Sequence, residues 1–227
     1  MTSSNFDKSI TIITNCGLAN RFRVLFSYYQ YALDNSCNLT VGWSIDSHCN
    51  GLFLDYFQPI PNVNFLTRIC DRSNCVYEGC NTHSNYQHPD YSLLLLRPYL
   101  QDIISNKINT IGPNYISLHI RRTDIVDKVK RLNRFVTDNE YFQFIDSYPD
   151  QNIYISTDNK NKFDIFKKKY PNRIIFDYHK TYTRSKRHTS LRDAIIDMYM
   201  CIHSSVFKGT PYSSFSDFIR NRRRNSS

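Results

Sequence analysis

Charged side chains follow directly on an apolar segment in residues 115–124, which read YISLHIRRTD. In an extended strand, residues two apart lie on the same face, so His119 and Arg121 are expected to point the same way. The isoleucine and leucine side chains between positions 116 and 120 then pack on the opposite face. Two guanidinium groups at the carboxyl end of a strand in an α/β sheet stand where phosphorylated ligands bind. The segment therefore predicts a sugar-nucleotide diphosphate site, and an Arg–Asp ion pair that only fastens the strand end is the alternative.

A second candidate segment covers residues 209–215, GTPYSSF, at the start of the last predicted helix. Ser213 or Ser214 can cap this helix, and Asp217 stands where a capping box with Ser214 requires an acidic residue. Free amides and small hydroxyl groups at the start of a helix also bind phosphate. We expect this segment to lie at the same edge of the sheet as Arg121.

Asp197 lies in a helix predicted from Ser190 to about His203, with apolar residues on both of its flanks. A carboxylate in such surroundings must be paired or kept for a ligand. Two interpretations stay open for Asp197: an ion pair with a nearby Lys or Arg, or hydrogen bonding to the edge of a guanine base.

Three more polar residues follow predicted strands. Asp158 comes after the strand at 153–156 and is expected to cap the next helix. Asn20 and Arg21 end the loop 15–21, whose single glycine makes neither a dinucleotide fingerprint nor a P-loop. We expect both to face a cleft between the two halves of the chain.

Strands and helices alternate strictly in the second half. Strands are predicted at about 115–120, 153–156, 173–176 and 206–207. Between them, Thr137 and Glu140 form a capping box that starts one helix, Pro171 ends the next, and Ser190 caps the third. This order predicts a parallel, doubly wound sheet with right-handed crossovers.

The first half begins in the same way, with strands at 10–14, 39–45 and 62–66 and a helix with its apolar stripe at 22–33. Residues 67–90 are rich in Asn, Cys, His and Ser and are predicted to form a long irregular loop. Pro98 opens a helix, and residues 109–114 form the predicted hinge. We therefore expect two α/β halves, 1–109 and 110–227, joined at this hinge.

Composition narrows the class of protein. The net charge of +9 favours an anionic partner such as a nucleotide, a nucleic acid or a membrane surface. The polar N-terminus and the absence of a long apolar run predict a cytoplasmic protein without a membrane span. Seven cysteines without an export signal indicate free thiols. The Cys and His spacing in residues 70–88 does not match a zinc site, so no metal is expected.

These motifs occur in an order that resembles one enzyme family. Residues 17–21 (GLANR), 119–124 (HIRRTD), 156–158 (STD), 196–197 (ID) and 209–215 (GTPYSSF) together resemble the GDP-fucose-dependent fucosyltransferases of the α1,6 and protein O-fucosyltransferase type. The resemblance covers about residues 10–222. It implies a GT-B architecture of two small Rossmann-like α/β domains, 1–109 on the acceptor side and 110–227 binding the sugar nucleotide. It also implies an inverting transfer in which the GDP-sugar is a co-substrate and neither a metal nor another cofactor is required.

The resemblance also implies roles for single residues. Arg121 would bind the β-phosphate as a catalytic residue, with Arg122 close by. His119 and Asp197 would contact the guanosine. The other donor-site residues that the motifs supply are Asn20, Arg21, Asp158, Ser213, Ser214 and Phe215. Among these, the two serines would hold the diphosphate, and Asn20 and Arg21 would line the donor cleft.

The general base and the acceptor are less defined. The α1,6 enzymes carry a lysine directly after the motif aspartate, where this chain has Ile125, so Asp124 or Asp127 is the candidate base. Residues 67–90 and 128–134 are expected to shape the site of a glycan or protein acceptor. Two alternatives to a transferase stay open: a catalytically silent sugar-nucleotide binder, and a basic nucleic-acid-binding protein that uses Arg222, Arg223 and Arg224.

Overall fold

The computed structural model describes residues 6–69, 72–73, 75–122, 131–132, 134–178, 180 and 189–224. The chain divides into two compact units, one ending at Pro98 and the other beginning at Tyr99. The sequence-based boundary at 109/110 falls inside helix α3, Pro98–Ile111. Helix α3 belongs to the second unit because Lys107 lies over the Phe176 ring at 4.2 Å and the Ile111 carbonyl accepts a hydrogen bond from Asn152 at 2.7 Å. The assignment of acceptor and donor roles to the two domains stays a prediction.

The first unit is built on a parallel sheet. Its elements are β1 (Lys8–Thr14), α1 (Leu18–Asp34), β2 (Cys37–Gly42), α2 (Phe53–Tyr56), β3 (Val63–Leu66) and β4 (Cys75–Gly79). The strand order is β3-β2-β1-β4, and every pairing is parallel. The core packs aromatic rings against one another, with Phe53 stacked on Phe65 at 4.2 Å and Phe22 edge-on to Phe57 at 5.2 Å.

One prediction for this unit is wrong. The region 67–90 was expected to be an irregular loop, but β4 lies inside it and pairs with β1. The residues of β4 alternate between half-buried and exposed at the edge of the sheet, so none of them is fully buried. The segment therefore lacks the run of buried apolar residues that marks the other strands of a parallel sheet.

The second unit follows the predicted alternation. After α3 come β5 (Tyr115–Ile120), α4 (Asp138–Asp146), β6 (Asn152–Thr157), α5 (Lys160–Lys169), α6 (Leu191–His203), β7 (Val206–Lys208) and α7 (Ser214–Arg224). The three strands are parallel in the order β6-β5-β7. The capping box of Thr137 and Glu140 is present at the start of α4, and Ser190 caps α6 by accepting from the Asp193 amide at 3.1 Å.

The strand predicted at 173–176 does not form. Its only described ladder-like bond runs from the Ile153 amide to the Arg173 carbonyl at 2.9 Å. The Arg173 side chain instead donates to the carbonyls of Tyr148 at 2.5 Å and Gln151 at 2.8 Å. The Arg173 side chain thus binds the turn between α4 and β6, and the segment that follows it is not a strand.

The two faces of the second sheet differ in chemistry. Ile116, Leu118 and Ile120 face a fully apolar core that includes Tyr141 and Phe166, as the alternation in the sequence predicted. The opposite face carries Ser117, His119 and Ser156, all of them buried. A polar, buried sheet face needs partners from the helices that cover it, and α6 and α7 supply them. No helix in the described part of the chain is long and apolar enough to cross a membrane.

Candidate functional site

His119 ends the polar face of β5. Its Nδ1 atom lies 2.7 Å from the Ser216 hydroxyl on α7, and its ring lies 4.7 Å from that of Phe215. The side chain is buried, and burial lowers the pKa of His119 to about 3, with further contributions from Arg121, Lys180 and Arg220. The imidazole is therefore neutral at physiological pH. Three cations act on this point of the sheet edge, which makes it electropositive.

Thr210 joins the two predicted segments. Its hydroxyl donates to the His119 carbonyl at 2.7 Å and accepts from the Arg121 amide at 3.0 Å. The preceding Gly209 lets Ser216 of α7 pack against this segment, because a Cβ atom at position 209 would lie 2.6 Å from the Ser216 hydroxyl. The structure thus brings the end of β5 and the segment 209–215 together at one edge, as the sequence predicted.

The two adjacent arginines have different surroundings. The Arg122 side chain is only 6% exposed; it donates to the Val136 carbonyl at 2.6 Å and to Asp138 at 3.3 Å. It also lies over the Phe135 ring at 4.5 Å. Arg122 therefore fastens the start of α4 to the end of β5. Arg121 is half-buried, and its charge helps to lower the pKa of His119 on the polar face.

Asp158 lies at the same edge, next to β6. Its carboxylate accepts the Arg122 amide at 3.3 Å, which links the ends of β5 and β6. Asn159, and not Asp158, caps α5, since the Asn159 side chain accepts from the Lys162 amide at 3.0 Å. The expected capping role of Asp158 is therefore wrong by one residue.

Asp197 is buried under β6, with 7% of its surface exposed. One carboxylate oxygen accepts from the Tyr154 hydroxyl at 2.8 Å. The other accepts from the Ser156 hydroxyl at 2.9 Å and from the ammonium group of Lys180. The ion pair that the sequence left open is therefore present in the structure.

A cavity of about 290 Å³ lies beside this ion pair. Lys180 and Asp197 line it together with Lys107, Arg192 and Phe176. Burial lowers the pKa of Lys107, and the charge of Asp197 opposes that shift. The cavity thus combines the carboxylates of Asp177, Asp193 and Asp197 with several cations and apolar side chains.

Ser213 directly precedes α7 and is completely buried. Its hydroxyl group has no hydrogen-bond partner among the residues that the structure describes. Ser213 occupies the N-cap position, since α7 begins at Ser214 and the Ser213 carbonyl accepts from the Asp217 amide at 2.9 Å, but its hydroxyl makes no capping hydrogen bond with the described residues. The Asp217 carboxylate pairs with Arg220 at 2.7 Å rather than closing the expected capping box.

Asn20 and Arg21 lie in the first unit, at the start of α1. Arg21 is completely buried and donates to the Ser44 carbonyl at 2.7 Å and to Asp46 at 2.6 Å. The side-chain oxygen of Asn20 accepts from Arg23 at 2.6 Å. Arg21 therefore holds together the loops of its own unit. Asp124 and Asp127, the candidate bases, lie outside the described residues.

The sequence analysis assigned no role to five residues of this site: Thr210, Ser216, Tyr154, Ser156 and Lys180. A close look at the alternation in residues 153–156 would have placed Tyr154 and Ser156 on one face, opposite the isoleucines. Lys180 carries no such signal, because it lies outside the helices and strands.

Comparison with known proteins identifies solved structures that share this architecture. A search among curated proteins finds no match. Among solved structures, NodZ α-1,6-fucosyltransferase co-crystallized with GDP aligns with a TM-score of 0.64 at 15% identity, covering 94% of this chain and 92% of that chain. Another NodZ structure, from Bradyrhizobium, aligns equally well. POFUT1 in complex with GDP aligns with a TM-score of 0.62 at 8% identity, covering 97% of this chain and 96% of that chain.

These likenesses confirm the predicted GT-B-like α/β fold class. The sequence model of the GDP-fucose protein O-fucosyltransferase family matches residues 20–226, which include every motif at the polar sheet edge. The chain therefore belongs to the GDP-fucose protein O-fucosyltransferase family and is a GDP-fucose-type glycosyltransferase, as its motifs predicted.

Proposed function

We propose that the protein transfers fucose, or a closely related sugar, from its GDP-sugar to an acceptor hydroxyl with inversion at the anomeric carbon. The observation that supports this most is the buried hydroxyl of Ser213 at the start of α7, which has no hydrogen-bond partner in the part of the chain that the structure describes. A buried hydroxyl without a partner costs about 1–3 kcal/mol, so the site is built for a ligand that supplies the missing hydrogen bond. A phosphate oxygen at a helix N-terminus is the ligand that such a position favours.

The chemistry needs stabilisation of the departing diphosphate. Its negative charge grows as the glycosidic bond breaks, and fixed cations and amides compensate best where water is excluded. Arg121 supplies the guanidinium, and its backbone is fixed by Thr210. The amides at the start of α7 add partial positive charge. These groups can neutralise the leaving group without a metal or another cofactor, and this is the form of the reaction that we propose.

The roles that we propose on the acceptor side of the reaction are derived from the sequence. An inverting displacement requires a base that removes the proton of the acceptor hydroxyl, and Asp124 or Asp127 is proposed for this role. Transition states of this oxocarbenium type need only modest help from a base. The guanine base of the donor is proposed to bind near Asp197. The acceptor itself is proposed to be a glycan or a protein hydroxyl.

The decisive experiment replaces Arg121. Arg121→Ala is expected to lower kcat/KM for the GDP-sugar by about a hundredfold or more, since one electrostatic donor to the leaving group contributes about that much. Arg121→Lys is expected to restore little, because a lysine cannot form the two parallel hydrogen bonds of a guanidinium. Arg72→Ala is the matched control, since Arg72 is an exposed arginine of the first unit, 62% exposed and paired with Glu78.

Thermal-shift measurements with GDP, UDP and ADP complete this test. A shift selective for GDP supports the nucleotide site, and its absence contradicts the proposal. Near-normal turnover in Arg121→Ala would remove the role of this arginine. Tight GDP binding with neither hydrolysis nor transfer would identify a silent binder.

The structure weakens the nucleic-acid-binding alternative at one of its three arginines, Arg223. The Arg223 guanidinium donates to the carbonyls of Ile202 at 2.9 Å and Ser205 at 2.8 Å. The Ile202 carbonyl belongs to the last turn of α6 and the Ser205 carbonyl lies just beyond its end, so Arg223 caps that helix terminus. Its donors are used within the protein rather than for phosphates of a nucleic acid.

A further inference from the structure

The carboxylate of Asp197 is nearly saturated with donors. A carboxylate offers about four lone-pair positions for hydrogen bonds. Tyr154, Ser156 and Lys180 occupy three of them. About one position is therefore left for a ligand.

A guanine base needs more than one open acceptor position on the carboxylate that binds it. Its Watson–Crick edge presents two neighbouring donors, the N1–H and the exocyclic amino group. A carboxylate that reads guanine through both must have two acceptor positions open on the same side. One of the three present donors must therefore leave before Asp197 can accept both hydrogen bonds.

Lys180 is the donor that can leave. Tyr154 and Ser156 stand two residues apart on β6, where the strand fixes their direction toward Asp197. Lys180 lies outside the helices and strands, and its ammonium group is carried on a flexible four-carbon stem. It also lines the cavity of about 290 Å³ beside Asp197, so the space that a base would need adjoins its side chain.

The local charge favours such an exchange once a nucleotide is present. Lys107 and Arg192 line the same cavity, as do the carboxylates of Asp177 and Asp193, so a displaced Lys180 ammonium group stays among other acidic side chains of the cavity. A bound diphosphate offers the displaced ammonium group a new anionic partner. Without a nucleotide, Lys180 keeps a buried carboxylate from standing unpaired, which would be strongly unfavourable.

We propose that Lys180 is an exchangeable internal partner of Asp197 that the guanine base displaces when the donor binds. This inference rests on the proposed function, because it takes GDP-sugar as the ligand. It makes Lys180 a residue that sets nucleotide affinity: the protein must break one ion pair for each guanine that it binds.

The test measures two fragments of the donor separately on purified protein. Lys180→Met is expected to tighten guanosine binding by about tenfold to a hundredfold, the value of a hydrogen bond to a charged group that no longer has to be broken. Binding of inorganic pyrophosphate is expected to stay the same or to weaken. Lys180→Arg keeps the ion pair and should not tighten guanosine binding. Lys160→Met is the control, since Lys160 is an exposed lysine paired with Asp164.

The outcomes separate this inference from the function on which it rests. Wild-type protein that binds neither GDP nor guanosine contradicts the proposed function itself. If wild type binds GDP but Lys180→Met binds guanosine equally or less tightly, Lys180 is not displaced and the inference fails.

A second measurement does not depend on the stability of the variant. In wild-type protein labelled with ¹⁵N-lysine, the Nζ resonance that is absent from Lys180→Arg should shift when guanosine is added. An unchanged resonance under saturating guanosine would also overturn the inference.

Discussion

Thr210→Val should separate the positioning of Arg121 from the rest of the site. Valine has nearly the shape of threonine, and the Thr210 side chain is only 2% exposed, so the substitution removes the hydroxyl without opening a cavity. The His119 carbonyl keeps its bond from the Tyr141 hydroxyl at 3.1 Å. The Arg121 amide loses the acceptor that it reaches at 3.0 Å.

The expected magnitude follows from this one orphaned donor. A buried donor without an acceptor costs about 1–3 kcal/mol, so we expect the free energy of unfolding to fall by about 2 kcal/mol. For a chain of this length that corresponds to a lowering of Tm by about 4–8 °C. Because the Arg121 backbone is released, kcat/KM for the GDP-sugar should also fall, by about tenfold or more.

Thermal unfolding and initial-rate kinetics with the GDP-sugar check both parts. Thr210→Ser keeps the hydroxyl and should retain most of the activity. Thr110→Val is the control, because the Thr110 hydroxyl bonds to the Asn106 carbonyl on an exposed part of α3. A Thr210→Val protein with lowered Tm but unchanged kinetics would refute the claim that Thr210 positions Arg121.

Two further predictions concern neighbouring groups. Ser213→Ala removes a buried hydroxyl that has no partner among the described residues, so unfolding experiments should show an unchanged or slightly raised free energy of unfolding. Calorimetry should show that GDP binding is weakened by about tenfold. A lowered free energy of unfolding with unchanged GDP binding would contradict this. His119 is held neutral with its pKa lowered to about 3, so the unfolded chain takes up the proton first as the pH falls below about 6.5. Stability should therefore fall with decreasing pH between about 6.5 and 3, by up to about 1.4 kcal/mol per pH unit from this group, and the slope should be smaller in His119→Asn.

The second unit could be predicted almost completely because its boundaries are set by local signals. Thr137 and Ser190 cap their helices in the way that their sequences indicate, and Pro171 follows the end of α5. Such signals act within one turn of a helix and are visible without any tertiary contact. The edge strand β4 and the segment 173–176 depend on neighbours distant in sequence, and there the predictions were wrong.

The sequence predicted the motifs of the site but not the hydrogen-bond and ion-pair partners of their residues. The alternation of residues in β5 placed His119 on a polar face, and the small residues after Gly209 indicated the start of a helix near it. The bond between Thr210 and the Arg121 amide joins residues 89 positions apart, and the pairing of Lys180 with Asp197 involves a residue outside regular structure. Neither leaves a pattern in the sequence.

The division of labour between Arg121 and Arg122 follows from the strand that precedes them. Consecutive residues of an extended segment point to opposite faces, so Arg121 continues the polar face of His119 and Arg122 continues the apolar face of Ile120. On the apolar side Arg122 meets the Phe135 ring and the start of α4, where a buried guanidinium is stabilised by stacking and by carbonyl and carboxylate acceptors. The Arg121 charge acts on His119 of the polar face, and the Arg121 amide donates to Thr210 in the segment before α7. Two identical side chains adjacent in sequence therefore have different surroundings because of the alternation of one strand, and the first of them, Arg121, is the one that we propose as the phosphate ligand.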